Sequence, residues 1–220
     1  MELNISITGL RAQDSGSVIA VTVTIESCGA CGTERDVRTY RILPEQYASL
    51  KPRKGPIDRE TVDELERASG MCEAVRRGMS LLTYGSQSER TLRQKLRARG
   101  FDAEQAAAAA SYLHEMGLMD ESTDAMRVAE QCRRKRWGLR RILSCLYEKG
   151  YPESAIRAVQ DQLEGEDFVP DCIALIHARY HGIPEDRGER QKMTAALMRY
   201  GYALNEIRQA MDVVARDEAN

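Results

Sequence analysis

The chain has 220 residues, 42% hydrophobic and 30% charged, which is enough for a sizeable core and too apolar for a disordered protein. Its net charge of −2 neither favours nor excludes a polyanionic partner, because basic and acidic residues are segregated along the chain. No apolar run approaches the roughly 18–20 residues that cross a bilayer, and no basic segment followed by an apolar stretch opens the sequence. We therefore expect a cytoplasmic protein without membrane association.

The first third of the chain has the alternation and β-branched content of strands. The predicted strands are Asn4–Thr8, Val18–Ile25 and Asp36–Leu43, with hairpin-turn residues between them. They predict a small three-stranded antiparallel sheet. A short helix then begins at Pro44, residues 51–56 form a turn, and a polar helix of residues 59–69 ends near Gly70.

The six cysteines are too few for a disulfide scaffold. Cys28 and Cys31 have the spacing of a zinc knuckle or redox pair, but no second Cys/His pair accompanies them, which favours a hairpin turn with two incidental thiols. We interpret Cys72, Cys132, Cys145 and Cys172 as small apolar residues on helices.

From Met71 onward the chain consists of three diverged copies of one helical unit about fifty residues long. Three segments align with offsets of 50 and then 51 residues, and self-similarity at this period is typical of stacked helical repeats. The matched sets are Leu92, Ile142 and Met193; Leu96, Leu146 and Leu197; Gly100, Gly150 and Gly201; Phe101, Tyr151 and Tyr202; Ala106, Ile156 and Ile207; and Leu113, Leu163 and Val214.

The matched Leu–Gly–aromatic positions predict a helix end of the Schellman type in every repeat, because glycine adopts the left-handed conformation at little cost. Helix starts are predicted from Asp102 with Gln105, from Ser86 with Glu89, and from Pro152 in a first turn. A further helix precedes each joint, at residues 71–85, 123–137 and 171–182. The alternative is that such joints recur by chance, which three joints at a near-constant offset disfavour.

The predicted fold is mainly α: a tandem array of three three-helix repeats, preceded by a small antiparallel β-containing N-terminal region. We place that region at residues 1–70 and the repeats at residues 71–120, 121–166 and 167–220.

Two sets of cations are candidate binding residues for an anionic partner. The first repeat carries Arg90, Arg93, Lys95, Arg97 and Arg99, of which Arg90, Arg93 and Arg97 share one helix face. The second repeat carries Arg133, Arg134, Lys135, Arg136, Arg140 and Arg141, with Trp137 among them. Cations at phosphates give salt-dependent affinity, and Trp137 either stacks on a base or packs against the core. The alternative for both sets is a solvated helix face. Stacking of the repeats would place both sets on one surface.

Other features are weaker. His177 and His181 have i,i+4 spacing but no evident third metal ligand, and the run Ala106–Ala110 indicates either close helix packing or a filler of high helix propensity. The sequence has no phosphate-binding loop, dinucleotide motif or nucleophile motif, so we expect no enzyme activity, no cofactor and no metal.

In this order and spacing, residues of roughly 71–215 resemble the RecX family, bacterial regulators of the RecA recombinase. The residues that carry the resemblance are Ser88, Glu89, Leu92, Leu96, Gly100 and Phe101; Trp137, Gly138, Ile142, Leu146, Lys149, Gly150 and Ile156; and Leu197, Arg199, Gly201, Tyr202 and Ile207. The chain departs from the family pattern after Asp120, where an aromatic residue is common, and at Cys145, where an acidic residue is common.

The resemblance implies a non-catalytic, monomeric protein that binds in the groove of the RecA–DNA filament. There it would inhibit the recombinase, ATPase and coprotease activities of RecA, and so act in DNA repair, recombination and the SOS response. The basic residues would contact single- or double-stranded DNA or RecA itself. The alternatives are a DNA-binding repeat protein or transcription regulator that acts without RecA, and a scaffold whose basic residues bind nothing.

Overall fold

The computed structural model describes residues 2–29 and 32–218. Within those residues the chain forms four strands and ten α-helices, and it divides into two compact units. The first unit contains the residues up to Gly85 together with Leu92–Leu118, and the second contains Ser86–Thr91 and the residues from Met119 onward. The prediction of a mainly helical protein with an N-terminal antiparallel sheet is confirmed, while the repeat boundaries stay predictions.

The N-terminal sheet is antiparallel in the order β3-β2-β1-β4. Its strands are β1 (Glu2–Gln13), β2 (Val18–Gly29), β3 (Gly32–Ile42) and β4 (Gly55–Pro56). The sequence predicted three strands and a turn at residues 51–56, but two residues of that turn pair with Ser6 and Ile7 at the edge of β1. Proline is tolerated there because an edge strand does not need every N–H for pairing.

The core of the first unit lies between one face of this sheet and a long helix. After α1 (Pro44–Leu50), helix α2 runs without a break from Arg59 to Leu82, so the predicted helix end near Gly70 is wrong. Glycine inside a helix costs only about 1 kcal/mol. That cost is offset here because the buried side chains of α2 keep one helical phase across Gly70, from Leu65 to Cys72.

Helices α3 (Glu89–Arg97) and α4 (Ala103–Glu115) follow. Helix α4 packs closely on α2, because a Cβ at Gly78 would lie 2.5 Å from the Leu113 side chain. Ala106, Ala109 and Ala110 are fully buried in α4, so close helix packing is the correct reading of the alanine run.

The second unit is built from six helices around one apolar core. They are α5 (Glu121–Arg134), α6 (Leu139–Glu148), α7 (Glu153–Leu163), α8 (Val169–Tyr180), α9 (Arg187–Arg199) and α10 (Leu204–Glu218). The matched repeat positions Ile142, Met193, Leu146, Leu197 and Ile207 are all within this core.

The predicted helix ends occur in all three repeats. Gly100, Gly150 and Gly201 have φ of 94°, 75° and 96°. In each repeat the aromatic amide donates to the carbonyl of the matched leucine, at 3.4 Å for Phe101, 3.2 Å for Tyr151 and 3.3 Å for Tyr202. This is the hydrogen bond that defines a Schellman end.

The helix starts confirm one cap and correct another. Asp102 accepts from the Gln105 amide at 2.7 Å and so caps α4 as predicted. The cap of α3 is Ser88 rather than Ser86, because the Ser88 hydroxyl accepts from the Thr91 amide at 3.2 Å. The Ser86 hydroxyl instead accepts from Arg127 at 2.9 Å.

Four cysteines are described in full, and all are free thiols on helices: Cys72, Cys132 and Cys172 are buried and Cys145 is half-buried. The Cys28–Cys31 pair lies outside what the structure describes, since Cys31 and the Cys28 side chain are not described. Among the described residues, no helix combines the length and apolarity needed to span a membrane.

Candidate functional site

The second set of cations forms a turn between two helices, which we call the basic turn (residues 133–141). The helix predicted over residues 123–137 ends earlier, at Arg134. It closes through Arg136, which has a φ of 58°, while the Trp137 amide donates to the Cys132 carbonyl at 3.3 Å. A non-glycine residue with positive φ is uncommon, so other contacts have to stabilise Arg136 in this conformation.

Arg136 makes those contacts on both its main chain and its side chain. Its carbonyl accepts from the Tyr202 hydroxyl at 2.8 Å, and its guanidinium donates to the Ala174 carbonyl at 2.9 Å. Tyr202 is fully buried, and burial raises the pKa of its hydroxyl far above the ordinary value. Arg136 therefore ties the basic turn to α8 and to the third repeat.

Arg133 is held by acidic and aromatic neighbours. Its guanidinium lies 2.8 Å from the Glu166 carboxylate and 3.5 Å from that of Asp171, and its central carbon lies 5.2 Å from the centre of the Phe168 ring. The hydrogen bond to Glu166 raises the pKa of Arg133 above its ordinary value. The two carboxylates therefore offset part of the positive charge that is crowded into this segment of the sequence.

Arg141 lies between two aromatic rings. Its guanidinium carbon is 4.1 Å from the centre of the Trp137 ring system and 5.0 Å from that of Tyr200. Arg179 extends the stack, since it lies 5.7 Å from the Tyr200 ring and donates to the Tyr200 hydroxyl at 2.7 Å. Because cations over aromatic faces are attracted by the ring quadrupole, the stack holds these side chains in fixed positions.

Trp137 is half-buried and packs against the apolar core of the second unit. Of the two readings of this residue, the structure shows the packed one, with Arg141 over one ring face and Lys135 5.5 Å from the ring centre. A base would have to displace one of those cations in order to stack on Trp137.

The three remaining cations of the basic turn lie at the surface, and Lys135 among them also approaches the Trp137 ring. Arg134, Lys135 and Arg140 are exposed, and none of them makes an ion pair within the described residues. We call these residues the exposed triple. The Arg140 amide donates to the Gly201 carbonyl at 3.2 Å, which fixes the backbone from which its side chain projects.

The first set of cations lies on or just after α3. Arg90, Arg93 and Arg97 are exposed while Leu92 and Leu96 are fully buried, so the predicted separation of basic and apolar faces is confirmed. Lys95 and Arg99, the other two cations of this set, are also exposed.

Arg90 also has a packing role within the second unit. A Cβ at Gly150 would lie 2.9 Å from the Arg90 Cδ, so the Arg90 side chain covers that glycine joint. Arg93, Lys95, Arg97 and Arg99 belong to the first unit, and that the two basic sets share one surface stays a prediction.

Sequence reasoning missed the third-repeat residues around the basic turn: Tyr200, Arg179 and the Arg199 carbonyl, which accepts from Arg141 at 3.5 Å. Trp137 and Arg141 are close in sequence, but Trp137 precedes α6 and only Arg141 lies on that helix, so helical spacing does not pair them. Nothing in the local sequence pairs Tyr200 with Arg141, 59 positions earlier in the chain.

The two histidines singled out earlier lie at the end of α8. His177 is exposed in the last turn, and His181 is the C-cap residue, with a φ of 59°. The His181 amide donates to the His177 carbonyl at 3.3 Å, so the four-residue spacing of the two histidines is that of the last hydrogen bond of α8.

Comparison with known proteins gives matches to the RecX family. The family described as RecX, first three-helix domain, matches residues 74–113. The regulatory protein RecX of Stenotrophomonas maltophilia strain K279a is 31% identical over 137 residues, which are 62% of this chain and 83% of that protein. The regulatory protein RecX of Chlorobaculum tepidum is 27% identical over 160 residues, 72% of this chain and 96% of that protein.

Two crystal structures share the fold. One, of a regulatory protein RecX, has a TM-score of 0.72 at 17% identity and covers 94% of this chain and 99% of its own. The other, of RecX from Lactobacillus salivarius, has a TM-score of 0.57 at 15% identity and covers 67% of this chain and 98% of its own.

Proposed function

The chain belongs to the RecX family of regulatory proteins, and from this premise we propose that it binds the RecA–DNA filament and inhibits RecA. The activities lowered are recombinase, ATPase and coprotease activity, so the protein acts in DNA repair, recombination and the SOS response. It works by binding, as a monomer and without catalysis or cofactor. Because its partner is a cytoplasmic filament, we place it in the cytoplasm.

The proposed contact surface consists of the basic side chains of the first two repeats. They are Arg90, Arg93, Lys95, Arg97, Arg99, Arg133, Arg134, Lys135, Arg136, Arg140 and Arg141. Their partners are the phosphates of single- or double-stranded DNA or acidic groups of RecA, both of which guanidinium and ammonium groups bind.

One observation supports this proposal most directly. The exposed triple lies beside Arg133, Arg136 and Arg141, which are fixed by internal contacts. Because internal contacts fix the backbone that carries the exposed triple, binding has to order only the side chains of these cations, so this preorganised basic surface binds a polyanion better than a flexible one would. Within the basic turn, the fixed residues position the backbone, and the exposed triple contributes the side chains that are most accessible to the partner.

An ATPase assay of RecA on single-stranded DNA tests the proposal. Added at up to equimolar ratio in low salt, the protein is expected to lower ATP turnover and shorten filaments. Replacing Arg134, Lys135 and Arg140 by Gln should weaken this inhibition by about tenfold, the scale expected for loss of several phosphate contacts.

The matched control removes the same charge elsewhere in the second unit. Arg157, Lys192 and Arg208 are exposed on α7, α9 and α10, and we call them the control triple. Their replacement by Gln should leave inhibition within twofold of that of the unaltered protein. If the unaltered protein leaves ATP turnover and filament length unchanged while still binding duplex DNA sequence-selectively, it acts without RecA and the proposal is wrong.

A further inference from the structure

Two thiols of the second unit lie side by side. The sulfur of Cys132, in the last turn of α5, is 3.9 Å from the sulfur of Cys145 on α6. Cys132 is only 3% exposed, whereas Cys145 is half-buried. Cys72 and Cys172 are fully buried, and neither has another thiol within hydrogen-bonding distance among the described residues. Among the four thiols that the structure describes, Cys132 and Cys145 are therefore the pair arranged for a reaction with each other.

The backbone on either side of the pair is well anchored. The amides of Lys135 and Trp137 donate to the Cys132 carbonyl at 3.0 and 3.3 Å, and the Lys149 amide donates to the Cys145 carbonyl at 3.0 Å. A disulfide bond is about 2.05 Å long, so the sulfurs have to approach by about 2 Å. Rotation about a Cα–Cβ bond moves a cysteine sulfur by a distance of this order, so a change of side-chain rotamer is the motion that would bring the sulfurs together.

We propose that Cys132 and Cys145 are a dithiol modification site, which hydrogen peroxide oxidises to an intramolecular disulfide. In the first step the Cys145 thiolate attacks one peroxide oxygen. A sulfur–oxygen bond forms, the oxygen–oxygen bond breaks, and the departing hydroxide takes a proton to become water. In the second step the Cys132 sulfur attacks the sulfur of the sulfenic acid. A sulfur–sulfur bond forms, the sulfur–oxygen bond breaks, and the departing hydroxide takes the Cys132 proton to become a second water. Two thiols are oxidised and one peroxide is reduced.

The two thiols have different environments, and this sets the order of the steps. Cys145 is reached from solvent, so it meets the peroxide first. Burial, reinforced by the neighbouring Cys145, raises the pKa of Cys132 to about 11, so Cys132 is largely protonated at neutral pH. Cys132 acts as the resolving thiol because it already lies next to Cys145 when the sulfenic acid forms.

The disulfide would close a ring that contains the whole basic turn. Residues 133–141 lie between the two cysteines in sequence, so cross-linking Cys132 to Cys145 tethers the turn at both ends. A covalent ring restricts local opening of the segment that it encloses. This inference concerns the chemistry of the second unit and holds whether or not the protein regulates RecA.

Peptide mapping tests the site. The full-length protein is reduced, freed of reductant, exposed to hydrogen peroxide, alkylated under denaturing conditions and digested with trypsin. Trypsin separates the cysteines, since they fall in the peptides Val128–Arg133 and Ile142–Lys149. We expect these two peptides to appear linked, with a mass lower by two hydrogens than their sum, and to separate on treatment with dithiothreitol. Amide exchange in residues 133–144 should be several-fold slower in the oxidised protein.

Single substitutions separate the roles of the two thiols. In Cys132→Ala the sulfenic acid of Cys145 has no resolving partner, so the sulfenic-acid probe dimedone should label Cys145 more strongly than in the unaltered protein. In Cys145→Ala neither the linked peptide nor labelling at Cys132 should appear. Tryptophan emission verifies that each variant is folded, and Cys132→Ser repeats the test if Cys132→Ala is not.

The proposal is overturned if peroxide converts Cys132 and Cys145 separately to sulfinic acids without the linked peptide. It is also overturned if either thiol links to Cys28, Cys31 or Cys172 as readily as the two link to each other.

Discussion

The backbone of Gly138 lies directly against that of Gly201. The Gly138 amide donates to the Tyr200 carbonyl at 2.8 Å, and a Cβ at Gly138 would lie 2.5 Å from the Gly201 carbonyl carbon. One repeat earlier, the glycine joint at Gly150 is contacted at the equivalent place by side chains from the start of α3, where the Ser88 hydroxyl donates to the Lys149 carbonyl at 2.5 Å. The starts of α3 and α6 therefore dock on the glycine joints of the second and third repeats, respectively.

This contact makes Gly201→Ala more damaging than the same change at Gly150. Both glycines have positive φ, which costs alanine about 1 kcal/mol. At Gly201 the added methyl also meets the Gly138 carbonyl and the Arg141 backbone, whereas at Gly150 it meets the flexible side chain of Arg90. We expect losses in the free energy of unfolding of about 3 and about 1 kcal/mol respectively.

Urea denaturation followed by the emission of Trp137 measures both, because this single tryptophan lies in the second unit. Equal losses for the two variants would show that the close approach of the Gly138 and Gly201 backbones does not contribute to the free energy of unfolding.

Tyr202→Phe removes one hydrogen bond from the same region. The Tyr202 hydroxyl donates to the Arg136 carbonyl at 2.8 Å from a fully buried ring. Its loss leaves that carbonyl unsatisfied and should cost about 1–2 kcal/mol in the free energy of unfolding. The control is Tyr151→Phe at the matched position of the second repeat, whose hydroxyl donates to no described residue. That variant should lose less than about 0.5 kcal/mol, and a comparable loss in both would contradict the assignment.

Much of this architecture follows from local sequence. The joints at Gly100, Gly150 and Gly201 were predictable because a Schellman end needs only a leucine, a glycine and an aromatic residue at fixed spacing. The buried repeat positions followed from helical periodicity. Gly70 misled the prediction, because a glycine that ends one helix and one that admits a neighbouring helix look alike in sequence.

The candidate site was less predictable than the fold. The sequence locates all six cations of the basic turn, yet it does not show that Arg133, Arg136 and Arg141 are held internally. Their partners Glu166, Ala174 and Tyr200 are between 33 and 59 positions away, and only the packing of repeats brings them near. Local patterns report charge, whereas the division into fixed and exposed cations depends on tertiary contacts.

Buried thiols should make the free energy of unfolding decrease at alkaline pH. Cys172 is fully buried, and burial raises the pKa of its thiol from 9.0 to about 12. A pKa raised on folding means that the stabilisation is complete below pH 9 and is lost as pH rises from 9 towards 12. Between pH 9 and 10 the free energy of unfolding should fall with a slope that approaches about 1.4 kcal/mol per pH unit for each such thiol.

Cys172→Ala checks the source of this slope. The variant should differ from the unaltered protein by a constant amount below pH 9 and lose stability less steeply above it, as measured by urea titration at a series of pH values. Parallel curves up to pH 10 would mean that another group is responsible.

The exposed triple should determine the salt dependence of DNA binding. Each phosphate contact on a single strand contributes about −0.7 to the slope of log affinity against log salt concentration. If Arg134, Lys135 and Arg140 each contact a phosphate, replacing all three by Gln makes the slope less steep by about 2 and lowers affinity most at low salt. Fluorescence anisotropy with a labelled oligonucleotide of single-stranded DNA measures both quantities.

The control triple separates a defined contact surface from overall charge. Replacing Arg157, Lys192 and Arg208 by Gln changes the net charge from −2 to −5, as the exposed-triple variant does. Long-range repulsion alone would therefore affect both variants alike. If the slope is reduced in the exposed-triple variant and not in the control variant, the basic turn contacts phosphates. Equal reductions in both variants would show that the basic turn is not the DNA contact. An unchanged slope together with lost RecA inhibition would assign these cations to acidic groups of RecA instead.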